Sequence, residues 1–403
     1  MTGVTAPSLP IADIPPLPQD RTLLDPPREY VALREQRPIS RVSIWGENTP
    51  WLITRHDDAK AVLAHKGFSA DVARPGFPGP TPFPPPHSPG NIGFLDPPEH
   101  DRLRRLILPA FTFRRIEQLR PAIRETCDRL VDELAAGPVP ADLVQTFALP
   151  LPTLVICEML GVPYADREVF QKATRAFADA SATREQMIAA QRSIHGYLTE
   201  LLAAKGAEPA DDLLSRLAVD RVATGEATVG EAVGLASLLL VAGHETTAHM
   251  VPLSVVALLR HPEQLAELHA DPDRWPAAIE ELLRFLTIVH SGLRRIATED
   301  VEVGDVTIRA GEGVVVALSA VNRDPAVFAN PDALDLGRDV RAQLAFGHGL
   351  HHCVGQSLAR AELQIALPIL FDRLPGLRLA ADPEQFALRD RAVHGVSSLP
   401  VTW

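Results

Sequence analysis

The chain has 403 residues, 46% hydrophobic and 22% charged, an ordinary globular composition with enough apolar material for a substantial core. Its formal net charge of −12 argues against a nucleic-acid partner, which requires a broad positive field. Aromatic residues make up only 5%, so the core must rest on Leu, Val and Ala.

Residues 1–27, "MTGVTAPSLPIADIPPLPQDRTLLDPP", read as an extended Pro-rich arm, followed by one domain over 28–403. The first residues have neither a basic n-region nor a long apolar run, so no signal peptide is expected. The longest apolar stretch, "VGLASLLLVAG", is far short of the roughly 20 residues a membrane span needs. Cys127, Cys157 and Cys353 are odd in number and widely spaced, which argues against a disulfide framework. These features together predict a soluble cytoplasmic protein with no membrane anchor, expected to be a monomer.

Next come "ISRVSIW" and "WLITR", which alternate apolar and polar residues around "GENTP", a hairpin signal. "SADVARPGFPGPTPFPPPHSPGNIGF" (69–94) carries too much Pro and Gly for helix or central strand. Helical periodicity dominates from about 100 to 285. It includes "RRIEQLRPAIRETCDRLVDELAA", a run at 166–204 and a long segment near 228–260. "VEVGDVTIRAGEGVVVAL" (301–318) returns to strand character. An irregular meander covers 321–349, a helix is predicted over 356–373, and "GVSSLPVTW" closes as a strand. No βαβα alternation is present. The pattern predicts a single mainly α domain with a small antiparallel β region.

The long segment opens on "TVGE", a capping box at Thr228 and Glu231, and spans roughly 48 Å at the helical rise. Its middle reads "LLLVAGHETTAHM". "HETTAH" resembles a zinc-protease motif, but His244 and His249 are five apart, about 140° around the helix, and cannot chelate one ion. The alternative is a groove: small Ala242 admits a ligand to the backbone, and Thr246 can bond back to the carbonyl four residues earlier. A solvated polar patch is the plain alternative. Glu281 and Arg284 share a helical face and can pair, which alone is an ordinary feature.

"AFGHGLHHCVGQ" (345–356) places three histidines and Cys353 within six positions. A thiolate at Cys353 would be favoured by the start of the following helix, and Phe346, Gly347 and Gly349 would let the loop turn against a flat object. Zinc is disfavoured, because His351, His352 and Cys353 are adjacent and diverge, and no second ligand pair has zinc spacing. An inert buried cysteine is the remaining alternative.

"FGHGLHHCVG" resembles the haem-binding loop of cytochromes P450, pattern FxxGxxxCxG, at Phe346, Gly349, Cys353 and Gly355. "AGHETT" (Ala242 to Thr247) resembles that family's oxygen-activating motif, and Glu281 with Arg284 its ExxR pair. "NRDPAVFANPDALDLGR" resembles its meander, "DPPEHDRLRRLILPAFT" its C-helix and "LRRIATEDVEV" its strand after ExxR. The matches run in family order from about residue 90 onward, and the nearest likeness is to soluble actinomycete members.

The resemblance implies a haem-dependent monooxygenase with haem b, acting on a hydrophobic small molecule in secondary metabolism or xenobiotic oxidation. Cys353 would be the thiolate ligand on iron, with Ala242 over the opposite face. His100, Arg104, Arg295 and His351 match the haem-propionate contacts. Glu245 and Thr246 match the acid–alcohol pair that delivers protons to dioxygen. Glu281 and Arg284 would brace the structure. Leu235, Leu238, Leu239, Val289, Leu293 and Val396 would line the substrate pocket, under a Pro-rich lid bearing Phe77 and Phe83. No flavin domain or ferredoxin motif is present, so electrons would come from a separate ferredoxin and its reductase. Arg102, Arg105, Arg114, Arg115 and Arg360 are candidates for its docking face. Two other readings stay open: a haem protein that binds gas without turnover, and a zinc module on the His-rich loop.

Overall fold

The structure is a computed structural model that describes residues 13–79, 88–166, 183–389 and 393–403. In chain order the helices are α1 (Glu29–Gln36), α2 (His56–Ala64), α3 (Glu99–Ile107), α4 (Phe113–Ala136), α5 (Pro150–Leu160) and α6 (Arg184–Ala207). There follow α7 (Leu213–Arg216), α8 (Val229–Leu259), α9 (Pro262–Ala270), α10 (Trp275–Leu286), α11 (Leu318–Val321) and α12 (Gln356–Arg373). The strands are β1 (Ile39–Arg41), β2 (Trp51–Ile53), β3 (Phe68–Ser69), β4 (Ala141–Asp142), β5 (Leu293–Ala297) and β6 (Val301–Val303). Then come β7 (Val306–Ile308), β8 (Gly313–Val316), β9 (Arg378–Leu379), β10 (Leu388–Arg389), β11 (Gly395–Val396) and β12 (Pro400–Thr402). The mainly α class with small sheets is therefore realised. Contacts divide the chain into two compact units.

Among the described residues the first unit holds 13–79, 253–353, 387–389 and 393–396. Its five-stranded sheet has the order β1-β2-β8-β5-β3. The hairpin read from the sequence pairs Ile39 with Ile53 and Arg41 with Trp51. The sheet is not wholly antiparallel: β2 and β8 run parallel, Trp51 against Val314 and Ile53 against Val316. Continuous Val runs in β8 suit this central place, since all four of its residues are buried. One face packs Ile53, Val62, Phe68, Val314, Val316 and Leu344 together, and the other packs Tyr30, Val42, Leu52 and Val315. The described part of the Pro-rich arm lies on this unit, with Leu17, Leu23 and Leu24 buried and Leu17 N donating to Ser43 O.

Among the described residues the second unit holds 88–166, 183–252, 354–386 and 397–403. Here α4 packs along α12. The buried residues of α4 are Ile116, Leu119, Ile123, Cys127, Leu130, Val131 and Leu134, the three-and-four spacing of one helical face. Each buried aliphatic side chain in such an interface is worth about 1.5–3 kcal/mol. Thr112 caps α4, its Oγ1 accepting from Arg115 N. Strand β12 pairs with β4 and β9.

Among the described residues the longest helix is α8, which starts on the predicted capping box. Thr228 N donates to Glu231 Oε2 at 2.7 Å, and Glu231 N to Thr228 Oγ1 at 3.2 Å. Pro252 lies inside it. Among the described residues no helix is long and apolar enough to cross a membrane.

Candidate active site

In the second unit, the middle of α8 differs from the rest of that helix. Val233–Ser237 and Thr247–Leu258 are all buried. Between them Leu238, Val241, Glu245 and Thr246 are half-buried and Ala242 is exposed. At 100° per residue these five positions fall within an arc of about 140°. They form one accessible strip on an otherwise enclosed helix, with an apolar end at Leu238 and a polar end at Glu245 and Thr246. Thr246 Oγ1 donates to Ala242 O at 3.0 Å, which fixes the hydroxyl on the strip. Gly243, beside the strip, sits against Ile156, whose Cδ1 would be 3.4 Å from an added Cβ. Leu235 and Leu239, expected in the pocket, are buried in the core.

On the same unit α3 presents His100 and Arg104 one turn apart. His100 is fully buried, its Nδ1 2.9 Å from Asp101 Oδ1, so this nitrogen carries the hydrogen; Arg104 is half-buried. Arg102 pairs with Glu99 and Glu231, and Arg115 with Asp211 at 3.0 Å. Arg360 donates to Gln356 Oε1 at 2.7 Å. Three of the five arginines considered for docking thus have local partners, while Arg105 and Arg114 are exposed.

In the first unit, the segment 344–353 closes into a compact loop. Gly347 N donates to Leu344 O, His352 N to Gly349 O, and Cys353 N to Phe346 O at 3.0 Å. Two glycines permit this path. Gly349 has φ +72°, and a Cβ there would meet Leu63 O at 2.4 Å; Gly347 has φ +74°, with Leu293 Cδ1 at 3.1 Å. Asn322 anchors the loop by accepting from Leu344 N at 2.8 Å. Phe346 and His351–Ser357, including Cys353 and Gly355, are all half-buried, so the loop keeps an accessible surface. Arg295 on β5 is buried, with Nη1 donating to Arg294 O at 2.7 Å.

The three cysteines are not equivalent. Cys127 and Cys157 are buried, and burial pushes both thiols up, Cys157 to about 12. Both are therefore neutral thiols. Cys353 alone has partial exposure, in a loop of backbone amides and imidazoles. Among the described residues no group of three or more His, Cys, Asp or Glu side chains is placed to hold a metal ion, which removes the geometric basis of the zinc reading. A group that brings four of its own metal ligands and needs one thiolate and nearby cations fits the donor types of the first unit, Cys353 with Arg295 and His351.

The ExxR pair lies in the first unit, wholly buried. Arg284 Nε and Nη2 donate to Glu281 Oε2 and Oε1 at 2.6 and 2.8 Å, and Arg284 Nη1 donates to Asn322 O and Pro331 O at 2.8 and 2.9 Å. Asp335 N and Arg338 Nε also reach Glu281 Oε1, at 3.0 and 3.2 Å. The pair fastens α10 to the meander, through carbonyls at the Arg284 end and through Asp335 N and Arg338 at the Glu281 end.

Of the remaining pocket candidates, Val289 and Leu293 are half-buried, Val396 and Phe77 are buried, and Phe83 lies outside the described residues. Sequence reasoning missed Glu362, Asn322 and Arg21. Glu362 is 2% exposed on α12 and accepts from Thr247 Oγ1 at 2.8 Å. Its only signal was a carboxylate on the apolar face of α12, four residues from Leu358 and Ala366.

A thiolate candidate in a glycine-turned loop and, separately, a hydroxyl–carboxylate strip on a long helix are each features that haem-thiolate oxygenases require. The Cytochrome P450 family profile matches residues 179–375. Pentalenic acid synthase of Streptomyces avermitilis is 48% identical over 403 residues, 99% of each chain. Vitamin D3 dihydroxylase of Streptomyces griseolus is 44% identical, covering 97% of each chain. The crystal structure of the mycinamicin VIII C21 methyl hydroxylase MycCI of Micromonospora griseorubida, bound to mycinamicin VIII, superposes with a TM-score of 0.89. It is 38% identical, covering 97% of this chain and all of that one. The chain belongs to the cytochrome P450 family of monooxygenases, and family membership carries with it a haem-thiolate cofactor.

Proposed function

We propose that the protein inserts one oxygen atom of O₂ into a C–H or C=C bond of an apolar natural product or xenobiotic, using haem b and electrons from a separate ferredoxin with its reductase. The observation that carries this reading is the accessible strip on α8, where Thr246 is bonded to Ala242 O beside half-buried Glu245. When bound, the haem supplies a redox-active iron on which dioxygen is reduced and cleaved.

The chain's own residues supply the rest. Cys353 ligates the iron through Sγ. Arg295 and His351 would neutralise propionate charge, the role that the family resemblance also gives to His100 and Arg104. Thr246 Oγ1 holds a water and Glu245 moves protons to it from solvent, so that reduction ends in oxygen insertion and not in peroxide release. Glu281 and Arg284 brace the loop through Asn322, whose carbonyl binds Arg284 and whose side chain holds Leu344 N. The half-buried aliphatic side chains, Leu238 on α8 and Val289 and Leu293 in the first unit, favour a largely aliphatic substrate. The relatives named for pentalenic acid, vitamin D3 and mycinamicin VIII support that class. With no spanning helix among the described residues, a soluble cytoplasmic monomer fits this role. Arg105 and Arg114, exposed on a chain of net charge −12, suit an acidic ferredoxin.

Turnover of an apolar substrate with a surrogate ferredoxin and reductase tests the reading. Thr246→Ala is expected to keep the haem while diverting most reducing equivalents to peroxide, a loss of coupling of about 10²-fold, the lower range for proton-transfer groups. Unchanged coupling in that variant would reject the proton-delivery role. Binding of haem and CO without any turnover would favour the gas-binding alternative.

A further inference from the structure

The chain leaves α10 through Thr287, which has φ 33° and ψ 77°. A β-branched residue in the left-handed region is a genuine outlier, and such a conformation persists only where its surroundings over-determine it. Three separate segments of the first unit do so. From the meander, Asn322 Nδ2 donates to Thr287 Oγ1 at 2.8 Å, while that hydroxyl donates to Arg284 O at 2.6 Å. From the arm, Arg21 Nη1 donates to Thr287 O at 3.0 Å and Nη2 to Leu286 O. From the C-terminal turn, His394 N donates to Ile288 O at 2.7 Å, and Val393 bridges Val289.

The arm is tied to the same place twice more. His394 Nε2 donates to Leu23 O at 3.0 Å, and Arg323 Nη2 donates to Phe285 O at 3.0 Å and to Leu24 O at 3.4 Å. Arg21 is only 6% exposed and satisfies the last carbonyls of α10, where a helix leaves acceptors unpaired and favours a cation. Burial, and then the neighbouring Arg323 charge, pull its guanidinium down to about 9, so it still carries its charge at neutral pH. A buried cation so far from its own segment's needs is an expensive device for fixing an arm alone. What it fixes is the strained exit from α10, and the next residues out are Val289 and, at the start of β5, Leu293.

We propose that Arg21 is a positioning residue for substrate fit: from the arm it holds the left-handed turn at Thr287, and thereby aims Val289 and Leu293. The assignment of those two side chains to the substrate pocket rests on the function proposed above. The clamp on Thr287 does not.

The test therefore has two arms. In the first, amide hydrogen exchange over residues 288–293 is compared between the parent protein and Arg21→Gln, without added ligand. Exchange about tenfold faster is expected, the equivalent of losing one charge-assisted hydrogen bond. In the second, spectral titrations compare imidazole, which needs only the iron, with phenylimidazole, which also fills the pocket. Arg21→Gln should raise the Kd for phenylimidazole about tenfold and that for imidazole less than about twofold. In a Thr287→Gly background, where the left-handed turn costs little, the same change should lose most of its effect on both readouts. Should Arg21→Gln not fold, Arg21→Lys, which keeps the charge but not the two-carbonyl fork, takes its place. Unchanged exchange in 288–293 overturns the clamp. An equal shift for the two ligands, or none, overturns the role in substrate fit. A parent protein that gives no shift even with imidazole overturns the haem reading instead, and leaves the exchange result to judge Arg21.

Discussion

Thr247 donates its hydroxyl hydrogen to Oε2 of Glu362 across 2.8 Å, joining α8 to α12 inside the second unit. Burial pushes the Glu362 carboxyl up to about 8, an effect that the Thr247 hydrogen bond partly opposes. The residue beside Thr247 is Thr246, so this pair fixes the helix immediately next to the polar end of the accessible strip.

A carboxyl whose folded pKa lies above its unfolded value binds more protons when folded. The stability tied to that proton is fully present below the ordinary carboxylate range and is lost as pH rises toward about 8. Glu362→Gln, neutral at every pH, removes this dependence. Its melting temperature relative to the parent should therefore rise steadily between the carboxylate range and pH about 8. A difference that stays flat across that window contradicts a protonated Glu362.

Glu281 and Arg284 have no exposed side-chain surface and are bonded through both carboxylate oxygens. Removing one charge strands the other. Glu281→Gln should cost about 3–5 kcal/mol, which is much of the stability of an ordinary domain. The denaturant midpoint measures it, and a loss below about 1 kcal/mol would mean that the network contributes no more than a surface pair.

The cysteines give a chemical test that needs no catalysis. Cys127 and Cys157 are buried neutral thiols, so the haem-free protein treated with iodoacetamide should carry label at Cys353 alone. Haem added beforehand should block that label. Equal labelling with and without haem, read by peptide mass, would mean that Cys353 does not ligate the iron.

Much of this was legible in the chain itself. The helix expected near 228–260 is Val229–Leu259 with its capping box, and the helix expected over 356–373 is Gln356–Arg373. Both helices announce themselves by local signals, an apolar period and terminal residues that satisfy free backbone groups. The irregular meander was legible because Pro, Asp and Asn deny it a ladder. What stayed hidden depends on pairing at long range. Periodicity shows that Glu362 faces inward, but not that Thr247, 115 residues earlier, waits for it. Nothing local marks Thr287 for a left-handed turn, because its cause is the hydrogen bonds brought by Arg21 and Asn322. The parallel β2–β8 pair was missed for the same reason, since Trp51 and its partner Val314 lie far apart in the chain.

The central claim is that the Cys353 sulfur binds haem iron. The reduced, carbon-monoxide-bound protein should give the difference spectrum of a thiolate ligand, and Cys353→Ala should lose it. A colourless parent that takes up no haem, or a variant whose spectrum is unchanged, contradicts the account.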